Sequence, residues 1–194
     1  MDIQGIVEDF WACRQRGVYY PPQWFDRLTL DQACRVQLGL LDKAIAAGAR
    51  QVGWKVGLTA AAIREQFRVH EPVFGYLLEE GRLDSGVELD LSNWLGTGFE
   101  NELCLRLGRP LSGPDVDVAT ARAAVRSCHP AMELVENRGD FTAQLAVAVA
   151  DNVQQRAFVI GPEVPLDAGT NLAAVRCEVD INGQQVAQAT GDAV

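Results

Sequence analysis

Near residue 50 the apolar pattern of this chain changes period, and that change limits what it can fold into. Before it, apolar residues recur at helical spacing. Ile6, Phe10 and Trp11 share one stripe, and Ala33, Val36, Leu40, Leu41, Ala44 and Ile45 form another. Thr29-Leu30-Asp31-Gln32 has the composition of a capping box, and Gly48 suits the left-handed position that closes a helix. From Gln51 the apolar runs are short and alternate with period two, bounded by Gly, Pro, Asn and Asp. Strands are expected over 52–56, 74–78, 99–107, 131–136, 155–160, 175–181 and 184–189. Short helices are expected over 60–67 (capped by Thr59), 118–127 and 141–150. Asn182-Gly183 between two alternating runs is a strong hairpin signal. The expected architecture is α+β, with a helical N-terminal region over 1–50 packed on a β-rich core over 51–194.

The 194 residues, 48% of them hydrophobic, are enough to bury one sizeable core. A formal charge of −9 would repel nucleic acid and anionic membrane, so neither is expected as a partner. Five cysteines without a C-x-x-C pair suggest neither a disulfide framework nor a zinc knuckle, and a reducing cytoplasm fits them. The N-terminus lacks a signal-peptide pattern, and no apolar run approaches the roughly 20 residues that span a bilayer.

The chemistry concentrates in a few acids and one lysine. On a strand, Glu100 and Glu102 share a face with Cα atoms roughly 7 Å apart, as do Cys104 and Arg106. Two carboxylates so placed repel unless a cation lies between them, and Mg²⁺ or Mn²⁺ prefers such oxygen ligands. Glu133, which interrupts the apolar run Ala131-Met132-Leu134-Val135, is a third candidate. On spacing alone, a solvated strand face is the usual reading of such a pair, and the charge pattern by itself selects no metal. Lys55 sits inside a short apolar strand, where its ammonium needs either a partner or a route to solvent.

Gly53-Trp54-Lys55-Val56-Gly57-Leu58-Thr59 resembles the G-x-K-x-G-L-T segment of 2-keto-4-pentenoate hydratases and 4-oxalocrotonate decarboxylases, a branch of the fumarylacetoacetate hydrolase family. Glu71-Pro72-Val73-Phe74-Gly75, Glu100-Asn101-Glu102, Pro130-Ala131-Met132-Glu133 and Asp151-Asn152 with Val159-Ile160-Gly161 resemble its further landmarks, in order, across about residues 28–161. The resemblance implies a mixed β-roll and a divalent metal, Mg²⁺ or Mn²⁺, held by Glu100, Glu102 and Glu133. The metal would grip the 1-carboxylate and 2-oxo oxygen of a small 2-oxo acid, while Lys55 stabilises developing charge or shuttles a proton. Leu58 and Thr59 would line the substrate site, with His70 and Glu71 as further catalytic candidates. Arg138, in a turn after the Glu133 strand, is a candidate for the substrate carboxylate.

Hydration of a 2-hydroxy-alka-2,4-dienoate in aromatic catabolism is the leading implied activity. Decarboxylation of an oxalocrotonate-type diacid, or a non-catalytic partner subunit, are the alternatives. A homo-oligomer, or a complex with a related hydratase or decarboxylase, is expected. The sequence departs from the family at Ala60, where Ser is common, at Val73, where many hydratases carry Asp, and at Gly98-Phe99. It also stops at Val194, where the family continues. The expectation is therefore a C-terminally truncated roll, either a fragment or a shortened homologue completed by a partner. His129, Cys104, Trp11, Trp24, Tyr19 and Tyr20 are expected to be structural.

Overall fold

The computed structural model describes residues 1–167 and 169–193; Val194, the last residue of the expected β-rich region, lies outside them. Five helices are described, α1 (Ile3–Arg14), α2 (Leu30–Ala46), α3 (Ala61–Phe67), α4 (Val118–Ala124) and α5 (Leu145–Ala150). The strands are β1 (Gln51–Gly57), β2 (Val73–Leu78), β3 (Arg82–Leu83), β4 (Thr97–Leu107), β5 (Val125–Glu136), β6 (Gln155–Ile160), β7 (Val164–Pro165), β8 (Arg176–Ile181) and β9 (Gln184–Thr190). β1 pairs with β2 and β8 with β9, while β3, β6, β5 and β4 hydrogen-bond in that order, with β7 on β5. This is the expected α+β class.

The chain divides into two compact units. The first comprises Met1–Leu83, Val87–Phe99 and Glu133–Phe158. The second comprises Asp84–Gly86, Glu100–Met132 and the described residues from Val159 onward.

In the first unit the two N-terminal helices form as their sequence requires. Thr29 Oγ1 accepts from the Gln32 amide while Gln32 Oε1 accepts from the Thr29 amide, a complete capping box. At the other end of α2, Gly48 takes φ +100°. Its N–H donates to the Ile45 carbonyl and that of Ala49 to the Ala44 carbonyl, the Schellman pattern. The apolar stripes of α1 and α2 meet those of α5 in one core. It contains Ile6, Val7, Phe10, Val36, Leu40 and Val147 to Ala150. Tyr20 is buried within it, and Trp11, Tyr19 and Trp24 pack against it, as expected of these aromatics. Gln37, fully buried, is tolerated there because its amide donates to the Phe74 carbonyl and the Val149 carbonyl, both at 2.8 Å. One side chain thereby ties α2 to β2 and α5.

In the second unit, Asn182 and Gly183 both have positive φ (53° and 76°), and Ile181 pairs with Gln184. This is the two-residue hairpin anticipated from Asn-Gly. Asp117 caps α4 by accepting from the Thr120 amide at 2.7 Å.

Three local expectations are corrected. Thr59 does not cap α3. Leu58 turns into the left-handed region at φ +57°, which moves the cap to Ala60, a residue with no capping side chain. The helix expected to reach Ser127 stops at Ala124, and β5 begins at Val125, so the strand holding Glu133 starts six residues earlier than the expected 131–136. Phe141 to Gln144 form turns ahead of α5 rather than its first residues. There the Phe141 ring packs edge-on against Phe67 at 5.5 Å, and Asp140 accepts from the Ala143 amide.

Candidate active site

Lys55 lies mid-way along β1, opposite Gly75 of β2. Along β1 half-buried and exposed residues alternate, and Lys55 lies on the half-buried side. A β-carbon at Gly75 would stand 3.1 Å from Lys55 Cγ and 3.0 Å from Asn152 Oδ1, so glycine there makes room for the lysine stem to cross the strand. The ammonium ends in two contacts. Nζ pairs with Glu133 Oε1 at 2.8 Å and donates to the Val153 carbonyl at 3.1 Å. Lys55 is 10% and Glu133 4% exposed, so the snorkelling alternative is excluded.

The Val153 carbonyl is aimed by an unusual turn. Asn152, Val153 and Gln154 all take left-handed φ, at 65°, 52° and 59°. For a β-branched residue such as Val153 this conformation is strained, and it needs support from its surroundings. Asn152 supplies it. Its side-chain Oδ1 accepts from the Tyr76 amide at 2.8 Å and its Nδ2 donates to the Tyr76 carbonyl at 3.0 Å, as a neighbouring strand would.

Glu100 and Glu102 share one face of β4 by strand alternation, and Glu133 lies on β5. They are respectively exposed, half-buried and buried. Carboxylate oxygens are the donors that hard divalent cations take. Cys104, two residues further along β4, is a half-buried free thiol whose pKa burial pushes up.

The remaining candidates occupy varied settings. Leu58 is half-buried against the helical core, and its carbonyl, like that of Thr59, accepts from Arg64 Nη1. His70 and Glu71 are exposed in the loop between α3 and β2. Arg138 is 6% exposed, and all three guanidinium nitrogens have partners. Nε and Nη2 donate to Glu136 Oε2 at 3.2 Å, Nη1 to Asp151 Oδ2 and the Asp151 carbonyl, and Nη2 also to the Gln155 carbonyl. In this setting Arg138 fixes the segment from β5 to β6. His129 Nδ1 is hydrogen-bonded to the Gly161 carbonyl at 3.0 Å, in keeping with a structural part.

Two contributors were not anticipated. Val153 enters through its carbonyl, which side-chain chemistry does not reveal. Gly75 enters through the β-carbon it lacks; its pairing with Lys55 is set by strand register.

An α+β chain that buries a lysine–glutamate pair has a charged site in its interior, the kind of feature that enzymes use. Comparison with known proteins narrows the class. No family model matches the chain. A 2-hydroxypent-2,4-dienoate hydratase of Pseudomonas putida is 31% identical over 190 residues, covering 96% of this chain and 85% of that protein. A 4-oxalocrotonate decarboxylase of a Pseudomonas species is 36% identical over 137 residues. A 2-hydroxyhexa-2,4-dienoate hydratase of Comamonas testosteroni is 31% identical over 170. The chain spans 53% and 64% of the lengths of these last two. The structure of the 4-oxalocrotonate decarboxylase from Pseudomonas putida G7, complexed with magnesium and adipate, superimposes with a TM-score of 0.85. Its sequence identity is 25%, over 99% of this chain and 74% of that one. The chain belongs to the family of 2-keto-4-pentenoate hydratases and 4-oxalocrotonate decarboxylases.

Proposed function

We propose that this chain carries the catalytic apparatus of a divalent-metal-dependent hydratase of 2-hydroxy-alka-2,4-dienoates, within the fumarylacetoacetate hydrolase superfamily and aromatic-compound catabolism. The buried contact between Lys55 and Glu133 carries the reading: a charged pair is costly to desolvate, and a bare structural role would be served as well by apolar residues. Glu100, Glu102 and Glu133 would hold Mg²⁺ or Mn²⁺, and the donor set fits such an ion. The named structural relative was complexed with magnesium, and a second structure of it with calcium. When bound, the ion would supply Lewis-acid polarisation of a 2-oxo group.

The chain's own residues do the rest. Lys55 presents its ammonium where negative charge develops on the substrate, and is placed to hold or pass a proton there. Val153 and Glu133 fix the direction of that ammonium, so little reorganisation is needed as charge builds. Leu58 and Thr59, which follow β1 directly, would border the substrate. His70 and Glu71, on an exposed loop, are candidates for proton exchange with solvent. Arg138 would act through the Glu136–Asp151 network rather than by touching substrate. The protein would work in the cytoplasm as a homo-oligomer, alone or with a related hydratase or decarboxylase.

The test supplies 2-hydroxypenta-2,4-dienoate and, separately, an oxalocrotonate-type diacid, with Mn²⁺ or Mg²⁺, and measures hydroxy acid and CO₂ independently. Hydroxy acid from the dienoate is the expected product. CO₂ from the diacid without hydration would assign the decarboxylase activity instead. Turnover of neither, together with Mn²⁺ affinity unchanged by Glu102→Gln, would overturn the reading.

A further inference from the structure

Arg14 is the last residue of α1, and its side chain reaches to the segment that carries the Val153 carbonyl. The helix it ends is well anchored. Ile6, Val7 and Phe10 are buried in the core of the first unit, and Glu8 pairs with Lys43 of α2 at 2.8 Å. From that footing the guanidinium makes two contacts. Nε pairs with Asp151 Oδ1 at 2.9 Å, and Nη1 donates to the Tyr76 hydroxyl at 2.7 Å. Arg14 is 18% and Asp151 1% exposed, so solvent screens this pair far less than it would a surface one.

The two contacts close a ring. Asp151 is bonded to Asn152, whose side chain holds both the amide and the carbonyl of Tyr76. Tyr76 leads back to Arg14 through its hydroxyl. Val153 follows Asn152 directly, and Tyr76 follows Gly75, which faces Lys55 across the β1–β2 ribbon. The ring therefore joins the two elements that decide where Lys55 ends: β2, which pairs with its strand, and the turn that offers its carbonyl acceptor. Arg138 grips the same turn in another way. It donates to Asp151 Oδ2 and to the Asp151 and Gln155 carbonyls, which holds the ends of the turn to each other and leaves its distance from β2 to other groups. Asn152 by itself would tie turn to strand at a single residue, about which the Val153 carbonyl could rock. Arg14 adds the second attachment. Three successive left-handed residues persist only where their surroundings over-determine them, and a planar guanidinium that meets two partners at once is suited to that task.

We propose that Arg14 is a positioning residue for the Lys55 ammonium, which it holds in place through Asp151, Tyr76 and the Val153 carbonyl. Its bearing on turnover rests on the activity proposed above; its bearing on the lysine does not. Lys43 and Lys55 are the only lysines in the sequence, and Lys43, paired with Glu8, reports whether α1 stays docked. With isotopically labelled lysine and Mg²⁺ present, proton exchange of both ammonium groups is measured by NMR at one pH. Tyr76→Phe, which removes only the hydroxyl, should quicken exchange at Lys55 about threefold, and Arg14→Met about tenfold, with Lys43 unchanged in both. Arg14→Lys, which keeps the charge and loses the fork, should not restore the native rate. Arg14→Met should also lower kcat about tenfold and move KM less. Unchanged exchange at Lys55 in Tyr76→Phe would overturn the proposal. So would a change at Lys43 as large as that at Lys55, which would reduce Arg14 to a support for α1, or a native kcat in Arg14→Met. Lys55 exchange that quickens as expected in a protein without turnover would uphold the positioning and strike the activity alone.

Discussion

The two units hold their shape by different means. In the first, helices close over an apolar core in which Phe10, Val36, Leu40 and Val147 to Ala150 have almost no contact with solvent. In the second, every residue of β9 is exposed and β8 buries no side chain fully. Its buried residues come from Ala124 and the start of β5, with Ser127, Cys128 and His129. Packing specifies the first unit; caps, turns and strand pairing carry proportionately more of the second. Rigid placement of a buried ammonium calls for the first kind of support, and Lys55, the lysine proposed for catalysis, is found there.

All four tryptophans, Trp11, Trp24, Trp54 and Trp94, lie in the first unit, so their fluorescence reports on it selectively. Phe10→Ala should have the largest effect, lowering stability by about 3–5 kcal/mol and moving the fluorescence midpoint in urea. Lys55→Met comes next. It leaves Glu133 buried without its cation, with a cost approaching 3–5 kcal/mol and loss of at least a hundredfold in turnover. Retained turnover would remove Lys55 from the mechanism. Gly183→Ala, at φ +76°, should cost about 1 kcal/mol, visible as faster amide exchange in β8 and β9 with the tryptophan midpoint unmoved. If that midpoint shifts equally, the units unfold together and the contrast between them fails.

The smallest effect is a pH dependence. The hydrogen bond to Thr120 holds the Asp117 carboxyl below its ordinary value. A lowered folded-state pKa means that the cap's contribution is present above about pH 4 and lost as pH falls through the lowered value. Amide exchange in α4 should therefore accelerate at acid pH, and Asp117→Asn should abolish that acceleration.

What the sequence made legible was local. The capping box at Thr29, the closing Gly48 and the Asn182-Gly183 turn each depend on residues within a few positions, so their chemistry can be read in place. Val118 to Ser127 failed for the converse reason: helix propensity of Ala121, Ala123 and Ala124 runs into a strand whose partners are distant in sequence. Lys55 and Glu133 could be singled out as polar residues in apolar runs, but their contact spans 78 positions (133 − 55) and no periodicity encodes it. Nor does the local pattern foretell three successive left-handed residues, since only Asn152 among them favours that region.

The conformation of Asn152 to Gln154 sets stability against speed. Replacing Val153 or Gln154 by glycine would relax the backbone, so a selection for heat tolerance alone would favour it wherever the lost side chain packs weakly. The same change would let the carbonyl that holds the Lys55 ammonium wander. Heat-hardened descendants of this chain altered at these positions should prove the slower catalysts.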